Sequence, residues 1–569
     1  MITHIPRPKT AHAPHPCPYK GETHLCFFQG QQHQGFARGH GTILDKHYRV
    51  VRTIESSGAG AASDMHEFRL APFSNGTSAL MTVYQPRQYD LTLNPKFRIH
   101  HGMGWVVEGV FQEVEIETGK VIFEWRSSDH LDPSLSYTYP ASTDTSGDGL
   151  SEDTPWDYFH INSIDKNVQG DYLISARHMG AIYKISGKDG HIMWEMGGRN
   201  PTFNQTNFKF SSQHHARWIS ENATHTVISF FDNASNAWTI TNKFSHGYLI
   251  AINHIDNTAT MTNAYGAPDS SGGLLSGSQG NMQVLPDGNV HIGWGEHAIF
   301  SEHTPDGSAV QYGQLAQRAS NVMVYRSYKF NWTGMPVTKP SIWTYARSRN
   351  SSEFTAMYVS WNGATEVASW NFYIGASAAG PFELAGHTDR TGFETTYKHR
   401  DVVGWAFAEA LDANGRALER SVIAKTFIPS DTLRPYCTEW ACDKAEYNDD
   451  FDSHDPNLPT LSQEQMSPNR GFNTAKYYAE LPDGTPSSNA ASMRVVVDHR
   501  IDIASLLIGF GLAVVFGVGI VVLLFFLRSG LVNKIQPLNE KLLGKYARVR
   551  GEEEEDNKAD TRPLQELQR

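Results

Sequence analysis

Short apolar or alternating runs, cut at close intervals by Gly, Asp and Asn, fill the chain from about Val50 to Phe427. Leu80 to Tyr84, Trp105 to Ile116, Tyr172 to Ser175, Ala181 to Ile185, Thr226 to Phe230, Gly247 to Ile252, Val290 to Trp294, Val322 to Tyr325, Met357 to Trp361 and Val403 to Ala408 are of this kind. Segments of that length bounded by turn residues form antiparallel sheets. A content of 48 Gly and 27 Pro with 40% hydrophobic residues also disfavours a mostly helical body. One hairpin pattern returns in divergent form: Val114 to Trp125 and Tyr183 to Trp194 end in tryptophans 69 residues apart. Gln283 to Trp294, around Asp287-Gly288, is related, and Glu409 to Arg420, around Asn414-Gly415, is a late copy. A small sheet repeated in this way must pack its apolar face on its neighbours. The spacing therefore favours a β-propeller with inserted loops over a β-sandwich pair.

At 569 residues the chain can bury one large core or two medium ones. Residues 1–49 open with a His-, Pro- and Gln-rich stretch and are expected to be poorly ordered; residues 50–428 form the body, and 429–502 a packing extension and stalk. Ile503 to Leu527 is a run of 25 residues without a charge, long enough to cross a bilayer as a single transmembrane helix. Residues 528–569 read as a disordered cytosolic tail. Arg528, Lys534, Lys541, Lys545, Arg548 and Arg550 follow the span, which predicts a single-pass membrane protein with its main body extracellular or lumenal and the lipid bilayer as a partner. The N-x-S/T sites at Asn75, Asn204, Asn222, Asn233, Asn331 and Asn350 all precede the span and are candidate N-glycosylation positions. Translocating that body calls for an N-terminal signal, and Met1 to Gln34 has no apolar core of that kind, so the N-terminus is expected to be incomplete.

A net charge of -12 argues against nucleic acid as a partner. Cys437 and Cys442 are spaced for a local disulfide, and none of the four cysteines has the spacing of a zinc site, so no metal is expected. Gly35, Gly39 and Gly41 lack the spacing and the lysine of a phosphate loop, and no cofactor is called for. The tryptophans recur within strands, where burial between sheets is their simplest use.

Chemistry concentrates in three polar stretches at strand ends: Trp156 to Ser163, Ser175 to His178 and Gln213 to Arg217. His160, Arg177, His178, His214, His215 and Arg217, with Asn162, combine groups that bind an anion with groups that move a proton. In a propeller, equivalent strand starts converge on the centre, so these separated residues are expected to share one pocket.

Taken in order, Trp156-Asp157-Tyr158-Phe159-His160-Ile161-Asn162-Ser163-Ile164, Leu173-Ile174-Ser175-Ala176-Arg177-His178, Gln213-His214-His215-Ala216-Arg217 and Phe231-Asp232-Asn233 resemble the arylsulfotransferase-like family, especially its fungal, membrane-anchored branch. The resemblance spans about Val50 to Phe427 and implies a six-bladed propeller with a central active site. It implies an enzyme that acts on aryl sulfate esters or related phenolic small molecules, with a small phenolic or sulfated molecule as partner. His160 and His214 would be catalytic, Arg177 and Arg217 would neutralise the anion, and Asn162, His178 and His215 would line the site. Bacterial relatives carry the sulfated histidine in a later Gly-Ser-x-His segment. Here Gly277-Ser278-Gln279-Gly280-Asn281 places Gln279 and Asn281 there as substrate contacts, without an imidazole to be sulfated. His291 and His297 are the alternative nucleophiles close by in sequence. A non-catalytic binding protein that has lost the nucleophile is the competing expectation.

Overall fold

Alternation along a strand sends neighbouring side chains to opposite faces of its sheet, and over much of this chain both faces are apolar. Leu173 and Ile174, adjacent on the strand Tyr172–Ala176, enter two different cores. Ile174 joins Leu80, Phe111 and Trp125 of the preceding sheet, whereas Leu173 joins Ile228, Phe230 and Ile250 of the following one. A third core unites Phe231 and Tyr265 with Met282, Ile292 and Trp294 of the next sheet. Each fully buried aliphatic side chain contributes roughly 1.5–3 kcal/mol, so successive sheets hold one another face to face.

The computed structural model describes residues 10–443 apart from 34, 59, 93–101, 144, 238, 269–272, 318–321 and 351. An eight-stranded sheet runs from Thr10–Tyr19 to Val121–Arg126. Two four-stranded antiparallel meanders follow their own chain order, one from Ile161–Lys166 to Ile192–Gly197 and one from Asn281–Val284 to Ala309–Gln314. Between them in sequence lies a five-stranded sheet in which His214–Glu221 to Thr258–Gly266 are antiparallel, with Asn204–Gln205 added in parallel at the edge.

The all-β reading holds, but the six-bladed propeller does not. Among the described residues the sheets are separate, unequal in strand number and not closed into a ring. The last strands are not further meanders: Ser341–Tyr345, Phe354–Ser360 and Glu394–Arg400 form one sheet, and Ser369–Gly375 and Trp405–Leu411 belong to another. Ile342, Met357 and Val359 of the first pack against Trp370, Phe372, Ala406 and Ala408 of the second, as in a two-layer sandwich. The hairpin repeat misleads because its copies occupy different places. Ala181–Ile185 with Ile192–Gly197 sits at the late end of its sheet, whereas Asn281–Val284 with Val290–Gly293 begins one.

The poor order expected over residues 1–49 is also corrected. Thr10–Tyr19 and Glu22–Gln32 are paired strands, joined by a Cys17–Cys26 disulfide. Pro16 and Pro18, two residues apart, are compatible with pairing because this strand is the edge of its sheet and one row of N–H groups needs no partner. Cys437 is bonded to Cys442. Asn75, Asn204, Asn222, Asn331 and Asn350 are exposed, but Asn233 is fully buried and cannot accept a glycan in this fold.

Contacts divide the chain at Pro486 and Ser487, and every described residue belongs to the first unit. The span expected at 503–527 and the tail at 528–569 lie outside the described residues, as does the stalk beyond Asp443. Among the described residues no helix is long and apolar enough to cross a membrane. The single-pass topology, the bilayer partner and the extracellular or lumenal placement are therefore without a described element to carry them and are set aside.

Candidate active site

Four histidines meet where strands of the first three sheets lie side by side. His66 belongs to Ser63–Leu70, His160 precedes Ile161–Lys166, His178 follows Tyr172–Ala176 and His214 begins His214–Glu221. The His160 ring centre is 4.7 Å from that of His66, edge to face, and 4.5 Å from that of His178. Tyr84 stacks on His66 at 5.0 Å and meets His160 edge-on at 5.6 Å.

Local hydrogen bonds fix each ring. His160 has φ 54°, a left-handed conformation that a non-glycine residue keeps only when its surroundings impose it. Asp157 does so: it accepts the His160 backbone N–H at 3.0 Å on Oδ1 and the Nδ1–H at 2.5 Å on Oδ2. Asp64 Oδ1 accepts His66 Nδ1–H at 2.6 Å. Asn233 spends its amide hydrogens on the carbonyls of Ser276 and Gln279, so its Oδ1 faces His214 and accepts Nδ1–H at 2.6 Å. His66, His160 and His214 thus each anchor Nδ1, and among the described residues Nε2 of each forms no hydrogen bond. His178 differs because its Nδ1–H donates to the Asp157 carbonyl and its Nε2 accepts from Arg177 Nη1 at 2.9 Å. Arg177 also donates to the Gly277 carbonyl.

Burial sets the protonation. It holds His160 well below the ordinary histidine value, helped by His66 and Arg177. Burial, then Arg177, does the same to His214, which also feels His160 and His66. His178 is lowered to about 3, chiefly by burial, against the opposing pull of Asp157. Burial raises Asp157. The cluster is thus a set of neutral imidazoles beside one guanidinium, suited to accepting protons and to holding an anion. Asp157, His160 and His178 lie close enough together to hold a metal ion, but the guanidinium donating to His178 Nε2 disfavours a cation there.

Immediately behind in sequence, a second region pairs charges instead. Glu67 receives Arg217 at 2.6 Å and Arg326 at 2.7 Å, and Arg69 meets Asp165 at 2.9 Å. Burial would raise Glu67, but Arg217, Arg326 and Arg69 outweigh it and hold the carboxyl at about 2. His15, Glu67, Arg69, Asp165, His215 and Arg217 are among the residues around a cavity of about 330 Å³. His215 Nε2 is 2.9 Å from Tyr328 Oη.

The expected site residues therefore divide. His160, Arg177, His178 and His214 come together, whereas His215 and Arg217 belong to the ion-paired region. Asn162 donates to the Gln213 carbonyl and ties two strands together. Gln279 reaches Met323 Sδ at 2.9 Å. Val322 to Tyr325, expected as a strand, is none, because the segment containing it is held by side chains: Asn281 bonds both backbone groups of Ser327, and Gln283 bonds both of Lys329. This strap brings Tyr325 and Arg326 to the His66 carbonyl, at 2.9 and 2.7 Å. His291 hydrogen-bonds Ser327 Oγ, and His297 the Leu275 carbonyl, with neither entering the imidazole cluster. Sequence reasoning missed Asp64, His66, Tyr84, Asp157, Tyr325 and Arg326. Asp64-Met65-His66 and Asp157-Tyr158-Phe159-His160 carry a signal that was there to use, a carboxylate two or three residues before a histidine.

An all-β protein with carboxylate-anchored imidazoles beside a buried arginine combines the groups used in proton transfer and anion binding. The chain belongs to the arylsulfotransferase family: residues 15–314, more than half its length, match the family model described as Arylsulfotransferase (ASST). The match starts earlier than Val50 and ends with the fourth sheet, leaving the sandwich outside it. It gives no support to the fungal, membrane-anchored branch. No curated protein matches the chain. Among solved structures, a Bacteroides caccae protein of unknown function is similar at 11% identity and TM-score 0.30, over 54% of this chain and 82% of that one. The GH43 BlXynB protein from Bacillus licheniformis is similar at 7% identity and TM-score 0.26, over 73% and 89%. A Bacteroides vulgatus member of the DUF4221 family has 10% identity and TM-score 0.18, over 60% and 86%. Likenesses this slight carry no argument.

Proposed function

We propose that the chain transfers a sulfuryl group from an aryl sulfate to a phenolic acceptor at the His66, His160 and His214 cluster. The observation that carries this reading is the common presentation of the three rings, each with Nδ1 anchored and Nε2 left without a hydrogen bond among the described residues, beside Arg177. Arg177 holds the sulfate oxygens, which resist further loss of charge to water in a buried site. His160 Nε2 takes the acceptor's phenolic proton, and Asp157 balances the imidazolium that forms. Such base catalysis supplies about 10²–10⁴-fold in rate. His214 is a second contact to the transferred group. Incubating the full chain with a chromogenic aryl sulfate and a phenol tests the reading: phenolate release should rise with acceptor concentration. The competing reading, a binding module without turnover, draws on Gln279, whose side chain bonds Met323 where family members carry the nucleophile. Stoichiometric ligand binding with no product across a donor panel would select it.

A further inference from the structure

Sulfonation of Nε2 turns a neutral imidazole into a cation, so a nucleophilic histidine needs an anion on Nδ1. That requirement sorts the cluster. His178 has both nitrogens engaged, by the Asp157 carbonyl and by Arg177. His214 rests on the neutral amide of Asn233. His291 and His297 lie elsewhere, bonded to Ser327 and to the Leu275 carbonyl. His66 and His160 alone among these rings lean on carboxylates.

Their carboxylates are not equivalent. Asp64 accepts from His66 N–H at 2.9 Å, His66 Nδ1–H at 2.6 Å, Thr82 Oγ1 at 3.2 Å and Ala37 N–H at 2.8 Å. Asp157 receives the backbone N–H and Nδ1–H of His160, and His178 Nδ1 stands farther off at 3.8 Å. The Asp64 anion is thus satisfied by donors on three different residues and is suited to balance a fixed positive charge. His66 is also held from behind, because its carbonyl accepts from Tyr325 Oη at 2.9 Å and Arg326 Nη2 at 2.7 Å. Tyr84 covers one face of the ring.

We propose that His66 is the nucleophile that accepts the sulfuryl group, with Asp64 as its anionic partner and His160 as the base of the return step; this rests on the aryl-sulfate reading above. In the first half, the Nε2 lone pair of His66 forms the N–S bond as the aryl O–S bond breaks. The phenolate leaves with the bonding pair beside Arg177 and takes a proton from water, and Asp64 balances the N-sulfo-imidazolium. In the second half, His160 Nε2 takes the proton of the acceptor phenol, whose oxygen forms the new O–S bond as the N–S bond breaks. His66 returns to neutral, and His160 releases its proton to the hydroxide left by the first half. The chain so dispenses with the later histidine whose place Gln279 takes.

The test incubates the full chain with an aryl sulfate and no added acceptor, quenches in alkali because N-sulfonates are acid-labile, and maps added SO3 by peptide mass. The expected result is one SO3 on the peptide carrying His66, removed by later addition of a phenol. Turnover in His66→Asn should fall on the order of 10³-fold or more. Asp64→Asn, which keeps the His66 ring, should lose both adduct and rate. An adduct on the His160 or His214 peptide, or acceptor-dependent turnover with no adduct, overturns the role of His66 and leaves the aryl-sulfate reading standing. Neither turnover nor adduct in the unmodified chain overturns both. Should His66→Asn fail to fold, the adduct map of the unmodified chain decides alone.

Discussion

His66 and Glu67 are neighbours in sequence, yet they belong to regions that solve burial in opposite ways. Around His66 the titratable rings are kept uncharged by desolvation, and around Glu67 full charges are kept and matched against one another. The same division separates His214 from His215. Adjacent strand residues face opposite sides, so one short polar motif feeds both regions. A neutral cluster retains protons to move and lone pairs to donate; a saturated ion-pair network retains neither and serves to hold the strands and the strap in register.

Breaking each region should therefore fail differently. The largest effect is expected for His160→Gln, which keeps a polar side chain but removes the base: turnover should fall by about 10²–10⁴-fold, with a melting temperature close to that of the parent. Parent-like turnover would place the chemistry elsewhere. Glu67→Gln comes next, leaving Arg326 and Arg217 buried without their anion, and chemical denaturation should show a loss of about 3–5 kcal/mol.

Acid separates the two regions by window. Burial lowers His178 to about 3, so the folded state carries no penalty from it above the ordinary value of 6.5 and is progressively destabilised as pH falls from 6.5 towards 3. Glu67 is depressed from 4.5 to about 2, so its stabilisation is full above 4.5 and is lost as pH falls towards 2. Unfolding free energy followed by pH should show both limbs, and His178→Gln should flatten the upper one while leaving the lower. The smallest effect is expected for His291→Gln, which lies outside both regions and should alter turnover less than about two-fold. A large loss there would restore that residue as a nucleophile.

What the sequence disclosed follows the same physics. Turns at Asp287-Gly288 and Asn414-Gly415 announced their hairpins, because few other dipeptides adopt those conformations cheaply. His160, His178, His214 and Arg177 were legible as polar residues at strand ends. The sandwich was not, since Met357 to Trp361 alternates like any half-buried strand and says nothing of which sheet will face it. The strap was read as a strand because its apolar run resembles one, whereas its ladder partners are the side chains of Asn281 and Gln283. His66 stayed hidden behind a register shift between Asp64 and Phe68, where regular alternation stops.

The neighbouring pair His214 and His215 offers the most direct measurement: kcat/KM for a chromogenic aryl sulfate in His214→Gln and His215→Gln, assayed side by side. The account predicts a loss of at least about 10-fold for His214→Gln and a change within about two-fold for His215→Gln. Equal losses, or a greater loss at His215, would contradict the assignment of the chemistry to the imidazole cluster.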